Sequence, residues 1–74
     1  MMVKIRALGY IAEVLGSREL TLNIDKKVKV RELIKLPKDV ESRVIILING
    51  KPATLDSEVY NKDQILIVPM ISGG

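Results

Sequence analysis

The chain has no cysteine, no histidine, no tryptophan and no phenylalanine, and it has only two tyrosines among 74 residues. Without cysteine it can form no disulfide, no thiolate metal site and no thiol nucleophile. Without histidine it lacks the commonest general base and the commonest metal ligand. With so few aromatic rings it has no platform on which nucleic-acid bases could stack. The longest unbroken apolar run, Val44–Ile48, spans five residues, against about 20 for a membrane-crossing helix. The first residues do not form a charged, apolar and small-residue leader. These absences point to a soluble, cytoplasmic protein that is not an enzyme in its own right. They also point to no bound metal or cofactor, and to no nucleic-acid or membrane partner.

What remains is an aliphatic chain: 47% of residues are hydrophobic and 28% are charged, with a net charge of +3. A chain of this length makes one domain, and such a domain buries only about 60% of its unfolded surface. A basic excess can mark acidic partners or nucleic acid. Here, however, lysine and arginine are interspersed with nine acidic residues. The densest basic run, at positions 26–31, carries no aromatic residue, and it reads as a solvated loop leading into a helix.

The pattern along the chain changes period several times. Residues 2–8 alternate, with Val3, Ile5 and Ala7 on one side and Lys4 and Arg6 on the other, as in a half-buried strand. Tyr10–Leu15 lies between Gly9 and Gly16, and its apolar spacing predicts one or two helical turns closed by Gly16. Residues 19–24 alternate again, with Leu20, Leu22 and Ile24 inward, and residues 25–29 read as a polar loop. Val30, Leu33 and Ile34, with Leu36 as the next candidate, form a helical stripe that Pro37 must end. Residues 37–43 read as a connector. Val44–Ile48 is a continuous apolar strand ending at Asn49-Gly50, a hairpin turn. Residues 51–54 form a short edge strand blunted by Pro52. Residues 56–58 and 61–63 are turns, and residues 64–68 are the last strand, stopped by Pro69. This order predicts an α+β chain with the β-grasp fold. Its mixed sheet has four to five strands, one main helix and a short first helix, and the first and last strands lie parallel at its centre. Residues 1–69 form the domain and residues 70–74 a flexible tail.

One feature of this sheet is unusual. A sheet covered by a helix on one side normally alternates apolar and polar residues, yet the last strand and its neighbour are apolar at every step. With Ile65 and Ile67 inward, Leu66 and Val68 face out, and on the neighbouring strand we favour Ile45 and Leu47 as the outward pair. Together with Lys4 and Arg6 as a basic rim, these residues describe a partner-docking surface. A second copy of the chain, or the helix Tyr10–Leu15 folding back, are the other ways to cover such a face.

The chain finishes with Ser72-Gly73-Gly74. Two glycines without side chains can pass through a channel too narrow for any other dipeptide, and they adapt to whatever backbone shape holds them. The carboxylate of Gly74 is inert until an enzyme activates it, so this tail reads as the functional group of the protein.

These residues together resemble the ubiquitin-like sulfur carriers of the MoaD/ThiS family. The chain looks most like the small subunit of molybdopterin synthase or an archaeal small modifier protein. The resemblance covers nearly the whole chain. It is most specific at Ile65-Leu66-Ile67-Val68-Pro69-Met70-Ile71-Ser72-Gly73-Gly74, and is supported by Ile48-Asn49-Gly50 and by the short helix from Tyr10 to Gly16. Asn61-Lys62-Asp63 stands where the family often has Asp-Gly-Asp. Lys62 at the glycine position implies either that Asn61 takes any left-handed conformation or that the turn differs. Met70 stands where a second proline is common, and the connector at 37–43 is short.

The resemblance implies a mechanism. A ubiquitin-activating-type adenylyltransferase binds the outer sheet face and threads Pro69, Met70, Ile71, Ser72 and Gly73 into its nucleotide site. ATP, used by that partner, adenylates Gly74, and a sulfur donor converts the adenylate to a thiocarboxylate. The sulfur then passes to an acceptor such as the large subunit of molybdopterin synthase. The same tail would serve a protein modifier conjugated to lysines, or a carrier for thiamine or tRNA sulfur. A non-covalent module in which the glycines are incidental is the remaining alternative.

Overall fold

The computed structural model describes residues 1–70. In chain order the elements are β1 (Met2–Ala7), α1 (Tyr10–Leu15), β2 (Glu19–Asn23), β3 (Val28–Lys29) and α2 (Val30–Leu33). They are followed by α3 (Lys38–Glu41), β4 (Val44–Ile48), β5 (Lys51–Ala53), β6 (Glu58–Val59) and β7 (Gln64–Pro69). Five strands form one mixed sheet in the order β2-β1-β7-β4-β5. The central pair, β1 and β7, is parallel, whereas β1 with β2, β7 with β4 and β4 with β5 are antiparallel. First and last strands side by side, with the short helices across one face, define the β-grasp fold.

Alternation in β1 and β7 sends Val3, Ile5, Ala7, Ile65 and Ile67 to one side, where all five are buried. Ile46 of β4 joins them opposite Ile67. Ile11 of α1, Ile24, Val30 of α2, Ile34 and Val59 close the core from above. Among the described residues no polar or charged residue is buried. The core therefore carries no unpaired polar group, and its stability rests on aliphatic packing.

Three local features depart from the pattern read in the sequence. First, the helix that starts at Val30 runs one turn only. Ile34 is already extended, at φ −131 and ψ 142, and it turns its side chain into the core. A stripe of three or four apolar residues supports too few hydrogen bonds to repay helix nucleation, and Pro37 forces Leu36 out of the helical region. The turn is stable because its free amides find partners. Val30 and Arg31 donate to the carbonyls of Ser57 and Leu55 (3.0 and 2.9 Å), and Glu32 accepts from the amide of Lys29 (2.9 Å).

Second, the segment read as a connector contains α3, whose amides at Val40 and Glu41 both donate to the Pro37 carbonyl (2.9 Å each). Third, the segment read as the polar loop 25–29 ends in a strand. Val28 and Lys29 pair with Val59 and Glu58 in a separate two-stranded ribbon. Two-residue strands carry no alternation for a sequence reading to detect.

The turn before β7 settles how Lys62 replaces a glycine. Lys62 itself adopts the left-handed conformation, with φ 71, while Asn61 does not. The side chain of Asn61 instead accepts a hydrogen bond from the Met2 amide (3.1 Å), and the Lys62 amide donates to the Met2 carbonyl (2.7 Å). Two bonds to β1 thus hold the turn in place.

Candidate functional site

The outer face of the sheet is organised in rows across the strands, because residues paired in register share a face. The first row runs Ile45–Val68. Leu8 extends it on the β1 side: its amide donates to the Ile67 carbonyl (3.0 Å), it follows the buried Ala7, and it is exposed. The second row runs Glu19–Arg6–Leu66–Leu47–Pro52. The third runs Thr21–Lys4–Gln64, with Asn49 bonded to Gln64 at its end. The face is therefore graded. It is apolar where β7 leaves the sheet and polar at the opposite end.

The side chains of Ile45, Leu47, Leu66 and Val68 lie together, half-buried or exposed, with Ile45 at 40% exposure. Lys4 and Arg6 flank them on β1. Arg6 has Glu19 3.6 Å away, but both side chains are largely in solvent, so this pair leaves the arginine available to other anions. Lys4, Arg6, Thr21, Asn49, Gln64 and Leu66 line a shallow open concavity on this face. Helix α1 does not cover it, because Ile11 is buried in the core on the opposite side of the sheet.

The exit of β7 is built from a proline and a glycine. In the parallel ladder the nitrogen of residue 69 faces the Leu8 carbonyl, and proline has no hydrogen to donate there. The ladder stops at that point. The Leu8 carbonyl instead accepts from the amide of Ile11 in the first turn of α1 (3.2 Å). Gly9 sits between them at φ 59 and ψ −143. A Cβ at that position would lie 3.1 Å from Pro69 Cγ. The strand end and the helix start therefore fit only with glycine at position 9. On the other side of β7 the amide of Met70 donates to the Arg43 carbonyl (2.7 Å). Met70 is half exposed and lines a groove with Tyr10, Asp39, Val40 and Arg43.

The remaining tail positions read from the sequence, Ile71, Ser72, Gly73 and Gly74, lie outside the described residues. Among the described residues no three acidic side chains converge on a point that could hold a metal ion, and no helix is long and apolar enough to cross a membrane. The sequence reading omitted Leu8, Pro52 and the groove at Tyr10 and Met70. The signal for Leu8 was its even position in the alternation of β1. Pro52 and the groove depend on cross-strand register, which no local pattern carries.

Comparison with known proteins gives this geometry a context. No curated protein matches the chain. Among solved structures it is similar to SAMP1 from Haloferax volcanii, at 24% identity over 100% of both chains with a TM-score of 0.74. It is also similar to small archaeal modifier protein 1 from Methanosarcina acetivorans, at 24% identity, with 99% of this chain and 96% of that one covered and a TM-score of 0.64. A third similarity is to the protein–protein complex of subunits 1 and 2 of molybdopterin-converting factor from Helicobacter pylori, at 20% identity over 100% of both chains with a TM-score of 0.62. At these identities the likeness is one of fold. The model of the ThiS family matches residues 5–74, which takes in both faces of the central strands and the paired glycines, and the chain belongs to that family.

Proposed function

We propose that this protein is a sulfur carrier that works through the carboxylate of Gly74, and that it serves molybdopterin biosynthesis. The family match extending through Gly73 and Gly74 carries this reading. The graded outer face supports it, because an apolar docking surface ends where the chain leaves the sheet. In the proposed cycle an adenylyltransferase docks on Leu66, Val68, Ile45 and Leu47, with Lys4 and Arg6 meeting acidic groups at the rim. A Gly74 carboxylate oxygen attacks the α-phosphorus of ATP and pyrophosphate leaves. A sulfur nucleophile then attacks the acyl carbon and AMP leaves, which produces the thiocarboxylate once the sulfur is freed from its donor.

The carrier itself contributes no acid, base or metal. It supplies a slim tether of Pro69, Met70, Ile71, Ser72 and Gly73 and a surface that successive partners recognise. The likeness to subunit 1 and 2 of a molybdopterin-converting factor favours a large-subunit partner as sulfur acceptor. The likeness to small archaeal modifier protein 1 favours a second reading, in which a lysine amine attacks the same acyl-adenylate.

Intact-mass measurement after incubation with ATP, a sulfide source and a cognate activating enzyme tests both readings. The expected product is a gain of one oxygen-to-sulfur exchange, mapped to the peptide that contains Gly74. Lysine-linked adducts as the only products would select the modifier. An unchanged mass with no adenylate would exclude both.

A further inference from the structure

The Asn49-Gly50 turn takes no part in the carrier chemistry, yet it is the one Asn-Gly step in the chain. In an open chain such a step is chemically unstable. The glycine nitrogen attacks the asparagine Cγ, ammonia leaves, and water opens the resulting succinimide to aspartate or isoaspartate. Glycine favours the attack because it has no side chain to hinder it. Nothing stands within 4 Å of the place where a Cβ of Gly50 would sit, and Asn49 is exposed. Neither crowding nor exclusion of water protects this turn.

The carboxamide is instead held from the side by the start of β7. Asn49 Oδ1 accepts from the Gln64 amide (3.0 Å), and Asn49 Nδ2 donates to Asp63 Oδ1 (2.9 Å). The Asn49 amide also donates to the Gln64 carbonyl (2.8 Å). Asp63 is fixed in turn, because its other oxygen accepts from the Tyr60 amide (2.6 Å). Both polar ends of the carboxamide therefore point across to β7, and reaching the Gly50 nitrogen requires breaking both bonds.

We propose that Asn49 is a deamidation site kept silent by the clasp of Asp63 and Gln64, so that its rate of reaction follows the fraction of time its side chain spends released from them. The step cannot reverse. The side chain of an aspartate at this position has no N–H to offer and sets a second carboxylate against Asp63, and an isoaspartate adds a backbone carbon to a turn whose length sets the register of β5.

The test ages the full chain at neutral pH, natively and in urea, and follows the amide-to-acid mass gain in the peptide containing Asn49. The native protein is expected to react at least about tenfold more slowly than the unfolded one, the factor carried by one hydrogen bond to a charged group. Asp63→Ala should bring the native rate clearly above that of the parent but short of the unfolded rate, because the Gln64 amide still holds Asn49 Oδ1. Asp63→Asn is neutral, and its single side-chain oxygen can serve Asn49 Nδ2 or the Tyr60 amide but not both, so it should age at a rate between those of the parent and Asp63→Ala. Equal rates for native and unfolded parent protein overturn the proposal, and so does a folded Asp63→Ala protein that ages no faster than the parent. If Asp63→Ala does not fold, a folded Asp63→Asn protein that ages no faster than the parent overturns it instead.

Discussion

Lys62 and Gly9 both sit at positive φ, 71 and 59, but for different reasons. At Lys62 the conformation is imposed by the two bonds that tie the turn to Met2, and the side chain is exposed. Nothing about the lysine requires that conformation. At Gly9 the backbone conformation is one that only glycine adopts readily, and a Cβ would crowd Pro69 Cγ. A left-handed L-residue costs about 1–2 kcal/mol, while the freer unfolded chain of a glycine takes back about 0.4–1 kcal/mol. Lys62→Gly is therefore expected to stabilise the protein by about 0.5–1 kcal/mol, seen as a higher urea midpoint with an unchanged slope. A lower midpoint would mean that the lysine side chain makes a contact worth more than the strain.

At the level of elements, the short helices are held by side chains more than by their own length. Arg31 of α2 donates through Nε to Asp56 Oδ1 (2.7 Å) and through Nη1 to Glu41 Oε1 of α3 (3.3 Å). One guanidinium thus joins both helical turns to the segment between β5 and β6. The hydrogen bond from Arg31, and then its charge, hold the Asp56 carboxyl below its ordinary value. A carboxyl lowered in the folded state contributes stability at pH values above its unfolded value, near 4. That contribution is lost as the pH falls through the lower folded-state value. Arg31→Met keeps the apolar stem and removes the bonds. It is expected to lower the urea midpoint modestly at pH 7, and the difference from the parent should shrink with added salt and close in acid. A difference that survives both acid and salt would assign the effect to packing of the stem.

This clamp also marks where legibility in the sequence ended. Strands β1, β2, β4 and β7 were readable because each has five or six residues with alternation or continuous β-branching. The ribbon β3–β6 and the single turns α2 and α3 were not readable at their true lengths, because two to four residues carry no period and are held by partners distant in sequence.

For the molecule as a whole, the candidate site divides into a surface and a tether, and the sequence made them unequally legible. The glycines and the apolar run from Ile65 are contiguous and could be read directly. For β4 the outer face could be read only as a preference, for Ile45 and Leu47 over Ile46 and Ile48. The pairing of Ile46 with Ile67 on the core side decides between them, and it turns Ile45 and Leu47 outward. The alternation of β1 puts Leu8 on that face, but its place beside Val68 comes from the parallel β1–β7 register, which depends on residues about 60 positions apart.

If the two parts act in the proposed way, their lesions should separate in the kinetics of adenylation. Ile45 is exposed, so Ile45→Lys should leave the fold stable within about 0.5 kcal/mol. Set against an apolar partner surface, the charge should raise the KM for the carrier about tenfold or more, as for a residue at the centre of an interface, with little change in kcat. Adding one residue after Gly74 should have the opposite signature. It removes the reacting carboxylate but leaves the docking face intact, so the extended protein should not turn over and should competitively inhibit the parent with a Ki near the parent's KM. Combining the two changes should abolish that inhibition. An extended protein that fails to inhibit, or an Ile45→Lys protein with an unchanged KM, would show that the partner does not hold the carrier by this face and would leave the tail as the whole of the recognition element.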